Sequence, residues 1–140
     1  MSVTAAQVNA LRNLTGAGLM DCKKALTESN GDVQAAIDYL RKKGAKVAEL
    51  RAGRSAGEGV VIAVTSSDSK KGVAIYLSCE TDFVAKNEEF VKLANSIAEI
   101  ALEKSPATLE ALLELDLNGS SIKAVLQEKV SAIGELINVS

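Results

Sequence analysis

The sequence predicts an α+β protein in two parts: a three-helix bundle over residues 1–53, and a helix-covered antiparallel β-hairpin subdomain over residues 54–140. Three observations carry that prediction. Apolar residues recur every three or four positions through the first fifty residues. The period changes to that of a strand at Val60-Val-Ile-Ala-Val64. Between the two regimes lies Ala52-Gly-Arg-Ser-Ala-Gly57, small and permissive, as a linker is.

The first helix is expected from Ala5, Val8, Leu11 and Leu14 at steps of three, with Thr4 placed to cap it. Thr15-Gly-Ala-Gly18 ends it, since two glycines two apart favour a sharp reversal. The second helix carries Leu19, Cys22, Ala25 and Leu26 on one face and ends at Asn30-Gly31, a left-handed cap signal. Asp32 then caps a third helix with Val33, Ala36, Ile37 and Leu40 at i, i+3, i+4 and i+7. Three such faces joined by short turns bury themselves only against one another. The basic residues Arg41, Lys42, Lys43, Lys46, Arg51 and Arg54 follow. No aromatic residue is interleaved for stacking, so this run reads as a solvated helix and linker, not a nucleic-acid patch.

In the second part, Val73, Ile75, Leu77 and Cys79 alternate after the polar turn Ser66–Gly72, so that Val60–Val64 and Val73–Cys79 form a hairpin. Phe90, Leu93, Ala94, Ile97 and Ala101 then mark a long helix. Ser105-Pro106 is expected to stop it and begin another, because Pro is tolerated at a first helical position. A short helix spans Leu109 to Leu113, and Ile122, Val125, Leu126, Val130 and Ile133 define a last one, capped by Ser120 or Ser121. Leu136-Ile-Asn-Val139 looks like the opening of a third strand with nowhere to go in this chain. We therefore expect either a partner chain that completes the sheet or, preferably, a fragment of a longer protein.

Composition narrows the function. The chain has 140 residues, 47% of them apolar and 24% charged, with a formal net charge of −2. Those are values of an ordinary soluble domain without general affinity for nucleic acid or acidic membranes. No apolar run approaches the roughly 18 residues of a membrane span, and the N-terminus lacks the signal-peptide pattern, so the expected setting is cytoplasmic. Cys22 and Cys79 lack metal-ligand spacing and read as buried free thiols. With no His, the commonest general base and transition-metal ligand is missing. No phosphate-binding loop or nucleophile elbow is present either. No catalytic residue, metal site or cofactor is expected.

Against that background Thr81-Asp82-Phe83-Val84 stands out. It sits at a strand-to-helix corner in a chain with two Phe, two Tyr and no Trp. A ring at such a corner either folds back into its own core, the commoner fate of Phe, or stays out to meet a partner. Local sequence leaves both open.

Thr15-Gly-Ala-Gly-Leu-Met-Asp-Cys-Lys-Lys-Ala-Leu26 resembles the N-terminal signature of the elongation factor Ts family. Cys79-Glu-Thr-Asp-Phe-Val-Ala-Lys86 resembles that family's second signature, in the right order and at the right spacing. The chain is similar to the family's N-terminal module plus the first half of its core. The resemblance implies guanine-nucleotide exchange on elongation factor Tu, the GTPase that carries aminoacyl-tRNA to the ribosome, without covalent catalysis. It implies that Asp82 and Phe83 push into the GTPase domain and disturb its Mg²⁺ and phosphate site. Phe83 would be the wedge, Asp82 its polar companion, Thr81 a cap and Val84 a packing residue. In the bundle, Leu11, Arg12, Gly16, Gly18, Met20, Asp21 and Lys23 are the candidates for docking on the GTPase domain, whereas Leu19, Cys22 and Leu26 are assigned to the core. Short family members complete their core as dimers, which implies a homodimer here. Gly31-Asp-Val-Gln-Ala-Ala-Ile-Asp-Tyr-Leu40 also resembles ubiquitin-associated domains, so an adaptor module without exchange activity is the alternative.

Overall fold

The structure, a computed structural model, describes residues 2–140. Its α+β chain packs as two compact units, each discontinuous in sequence. One comprises the chain up to Ala52 together with Gln127–Glu135; the other comprises Gly53–Leu126 and Leu136–Ser140.

The first unit is built on α1 (Ala5–Thr15), α2 (Leu19–Glu28) and α3 (Val33–Leu50). Thr4 caps α1 through a reciprocal box with Gln7: the Gln7 N–H donates to Thr4 Oγ1 at 3.2 Å, and the Thr4 N–H donates to Gln7 Oε1 at 2.9 Å. Asp32 caps α3 by accepting from the Ala35 N–H at 2.8 Å. Val8, Leu11, Ala17, Cys22, Ala25, Leu26, Ala36 and Leu40 form one buried cluster. Four residues of the expected faces are exposed instead: Ala5, Val33 and the two leucines assigned inward. Leu14 is 69% exposed and Leu19 is also exposed. Strict steps of three drift about 60° per step around a helix, so Leu14 walks off the stripe that Val8 and Leu11 begin. Thr15, four residues after Leu11, turns inward instead and donates to the Leu11 carbonyl at 2.8 Å. Ala17 is buried next to Cys22, whose thiol donates to the Ala17 carbonyl at 3.7 Å.

The basic run begins on the helix, because α3 continues to Leu50 and carries Arg41, Lys42, Lys43 and Lys46, while Arg51 and Arg54 follow its end. Within the same unit, residues 127–135 pack against it: Arg41 Nε donates to Glu128 Oε1 at 2.8 Å, and buried Gly44 faces the backbone of Gln127.

The second unit opens with β1 (Glu58–Thr65) and β2 (Gly72–Cys79), antiparallel in the register Val61↔Tyr76 and Ile62↔Ile75. Next come α4 (Asp82–Ala85), α5 (Glu88–Lys104) and α6 (Leu109–Leu113). A small hairpin of β3 (Asp116–Leu117) and β4 (Ser120–Ser121) leads to α7 (Ile122–Ile133), and β5 (Asn138–Val139) is last. Helix α5 lies across β1 and β2 and buries Phe90, Leu93, Ala94, Ile97, Ala98 and Ala101. On β2, Ile75, Leu77 and Cys79 are buried, whereas β1 buries its side chains only partly and leaves Val61 exposed, as an edge strand does.

Two expectations are corrected here, and one element was not expected. The terminal strand does have a place: β5 pairs antiparallel with the second edge of β2, with Leu77↔Val139 and Ser78↔Asn138. A hairpin occupies one edge of each strand, and β2 offers its other edge to the returning chain. Pro106 does not begin a helix; α6 starts at Leu109, where Thr108 Oγ1 accepts from the Ala111 N–H at 3.1 Å. The β3–β4 hairpin had no counterpart in the expected elements. Of the two candidate caps for α7, Ser121 makes the bond, accepting from the Ala124 N–H at 3.1 Å.

Candidate functional site

The corner after β2 is built from backbone and caps. Cys79, the last residue of the strand, is buried, and its thiol donates to the Thr81 carbonyl at 3.2 Å. Thr81 is extended (φ −121°, ψ 153°) and caps α4 through a long contact, 3.5 Å, from the Val84 N–H. The Ala85 N–H reaches the Thr81 carbonyl at 3.3 Å, and Lys86 N–H reaches Asp82 at 3.0 Å. Asn87 then caps α5, its Oδ1 accepting from Glu89 at 3.0 Å and Phe90 at 3.3 Å. One turn of helix is thus held between two capped boundaries, resting on β1 and β2.

On this mount Phe83 is 83% exposed. Asp82 is exposed beside it, with Lys86 Nζ 3.4 Å from Oδ2, while Val84 is half-buried toward the sheet. The core reading of Phe83 is thereby overturned. Phe90, seven residues on, is the ring that fills the interior. A large apolar ring held in water on a fixed turn would gain roughly 1.5–3 kcal/mol if a partner buried it.

The other candidates lie in the first unit, around the α1–α2 turn. Arg12, Gly16, Gly18, Met20 and Lys23 are exposed, and half-buried Asp21 pairs with Lys43. Gly16 ends α1 at φ 70°, a conformation that favours glycine. Leu11 is the exception: it is 1% exposed, in the centre of the bundle, and cannot belong to a docking surface. Its regular spacing from Val8 was the signal for core. Conversely, Leu14 and Leu19 join Met20, itself 73% exposed, as uncovered apolar side chains flanking the turn. The glycines beside them were read as a reversal, but periodicity alone assigned both leucines inward.

Cys22 is buried next to Thr15 and Ala17, and loss of hydration raises its thiol above the ordinary range, only partly offset by the Thr15 hydroxyl. Cys79 is buried as well. Both thiols are therefore expected to be inert toward a chromogenic disulfide reagent at neutral pH until the chain is unfolded. Rapid reaction of either in the native chain would contradict the packing described. The raised pKa of Cys22 also has a defined sign. Its contribution to stability is complete below the unfolded thiol pKa and is lost as pH rises through the folded one.

Among the described residues, no group of three or more His, Cys, Asp or Glu is placed to hold a metal ion, and no helix is long and apolar enough to cross a membrane.

Comparison with known proteins matches residues 80–140, beginning one residue before Thr81, to the family described as Elongation factor TS. Curated relatives align along almost the entire chain. Elongation factor Ts of Christiangramia forsetii is 54% identical over 137 residues, covering 98% of this chain and 49% of the relative. That of Amoebophilus asiaticus is 49% identical over 140 residues, covering 100% and 50%. That of Thioalkalivibrio sulfidiphilus is 45% identical over 139 residues, covering 99% and 47%. The chain spans about half the length of the curated relatives it matches. With identities of this size running from its first helix to its last strand, this chain belongs to the elongation factor Ts family.

Proposed function

We propose that the chain acts in translation elongation as a guanine-nucleotide exchange factor for elongation factor Tu, working in the cytoplasm. The observation that carries this reading is Phe83, exposed on a fixed corner within the stretch matched to the family. In a P-loop GTPase the nucleotide is held by Mg²⁺, a backbone cradle and a Lys, so a wedge that displaces any of these weakens it. Phe83 enters the GTPase domain, Asp82 meets its polar surface, and Thr81 and Val84 hold the turn in place. Arg12, Gly16, Gly18, Met20, Asp21 and Lys23 dock the N-terminal bundle, and Leu14 and Leu19 add apolar area to that surface. Exchange is then a negative coupling: the chain and GDP each weaken the other's binding by the same factor. It needs no covalent step. The open edge of β1 offers a place for a second copy, so we include a homodimer in the proposal.

The direct test is release of fluorescent GDP from elongation factor Tu as the chain is titrated in. A saturating acceleration is expected. Unchanged release together with binding of ubiquitin would favour the adaptor reading instead.

A further inference from the structure

Glu80 stands between the last residue of β2 and the Thr81 cap, and its side chain is only 12% exposed. A carboxylate so far out of water requires partners. Two come from distant parts of the sequence within the same compact unit. The Leu136 N–H donates to Glu80 Oε1 at 2.8 Å, and a guanidinium nitrogen of Arg54 lies 3.9 Å from Oε2. Leu136 immediately precedes the short strand β5, which adds only the pairs Leu77↔Val139 and Ser78↔Asn138 to the sheet. On the other side of Glu80, α4 has a single turn, too short to hold its own direction by helix propagation. The root of the corner therefore shares with the Thr81 and Asn87 caps in setting the direction in which Phe83 points, and there Glu80 bonds the returning C-terminal segment, as Ser78 Oγ does two residues earlier by donating to the Asn138 carbonyl at 3.2 Å.

We propose that Glu80 is a positioning residue: by clamping the Leu136 amide, it couples the presentation of Phe83 to the seating of the C-terminal strand. The inference rests on the exchange reading for its functional consequence and on geometry alone for the clamp.

The test uses the whole chain with Glu80→Ala and Glu80→Gln, and Phe83→Ala alongside. With only two Phe in the chain, uniform fluorophenylalanine labelling gives one resonance from exposed Phe83 and one from buried Phe90. In Glu80→Ala, Leu136 amide hydrogen exchange should accelerate about tenfold, the scale of a lost charge-assisted bond. The Phe83 resonance should shift or split while that of Phe90 stays in place, and GDP release from elongation factor Tu should slow by a similar factor. Glu80→Gln keeps an oxygen that accepts from Leu136 and should restore all three readouts to within about threefold. An unmoved Phe83 resonance in Glu80→Ala overturns the proposal, as does failure of Glu80→Gln to rescue it. Unchanged GDP release in Phe83→Ala would overturn the exchange reading on its own account; the fluorine and amide readouts decide the clamp in either case.

Discussion

Phe83→Ala is expected to weaken binding to nucleotide-free elongation factor Tu by about 2 kcal/mol, roughly thirtyfold, the size of a hot-spot loss. The same substitution should leave the chain's own stability within about 0.5 kcal/mol, as surface changes do. The asymmetry follows from exposure. At 83% exposed, the ring contributes almost nothing to the folded state, and Ala is if anything the better helix former in α4. Phe90→Ala is the internal control. That ring is 3% exposed on α5, and removing it should cost about 3–5 kcal/mol of stability through the cavity left behind. An isothermal binding titration of each variant, paired with urea denaturation, separates the two. Equal affinity of Phe83→Ala and the parent chain would move recognition away from the corner and onto the N-terminal bundle.

That pair of phenylalanines also marks the limit of what could be read from the sequence. Both precede or open a helical pattern, and both have apolar neighbours. Phe90 was legible because Leu93, Ala94 and Ile97 continue its face at helical spacing. Phe83 belongs to a single turn, which has no period to read. Its outward direction depends on how β2 delivers the chain and on Phe90 having already filled the interior.

The same logic sorts the other elements. Long amphipathic runs placed α1, α2, α3, α5 and α7, and alternation placed β2, because in each the burial pattern repeats several times. Errors fell where a repeat is short or a neighbour intervenes. Leu14 and Leu19 lie at the ends of their helices, where one residue of drift changes the side. The β3–β4 hairpin was signalled by Asn118-Gly119, both at positive φ (55° and 93°), a residue pair suited to a two-residue turn. Its strands are two residues each and show no alternation, so the turn pair alone carried the signal. The destination of β5 was invisible because strand pairing is non-local: nothing in Asn138-Val139 names β2 as its partner.

Gly44 is a second non-local feature, and it yields the other large expected effect. Inside α3, Gly44→Ala ought to stabilise by about 1 kcal/mol, the difference in helix propensity between the two residues. We expect the opposite sign. A Cβ at Gly44 would collide with the Gln127 carbonyl oxygen, approach its carbon at 2.8 Å and meet Ser131 Cβ at 3.3 Å. Two of those three atoms are backbone, which cannot rotate aside as the tip of a flexible side chain does. Residues 127–135 must then shift away from α3, straining the Arg41–Glu128 bond and uncovering apolar surface. Overpacking of this kind costs typically 1–3 kcal/mol, and a clash with main chain belongs at or above the top of that range. Offset by the helix-propensity gain, a net loss of about 2 kcal/mol is expected. Urea denaturation of the whole chain measures it, and amide exchange at residues 128–133 locates it, since those protons should lose protection before the interior of α2 does. A Gly44→Ala chain as stable as its parent, with those amides still protected, would mean that α3 and residues 127–135 do not approach each other this closely. The glycine would then be explained by neither propensity nor packing.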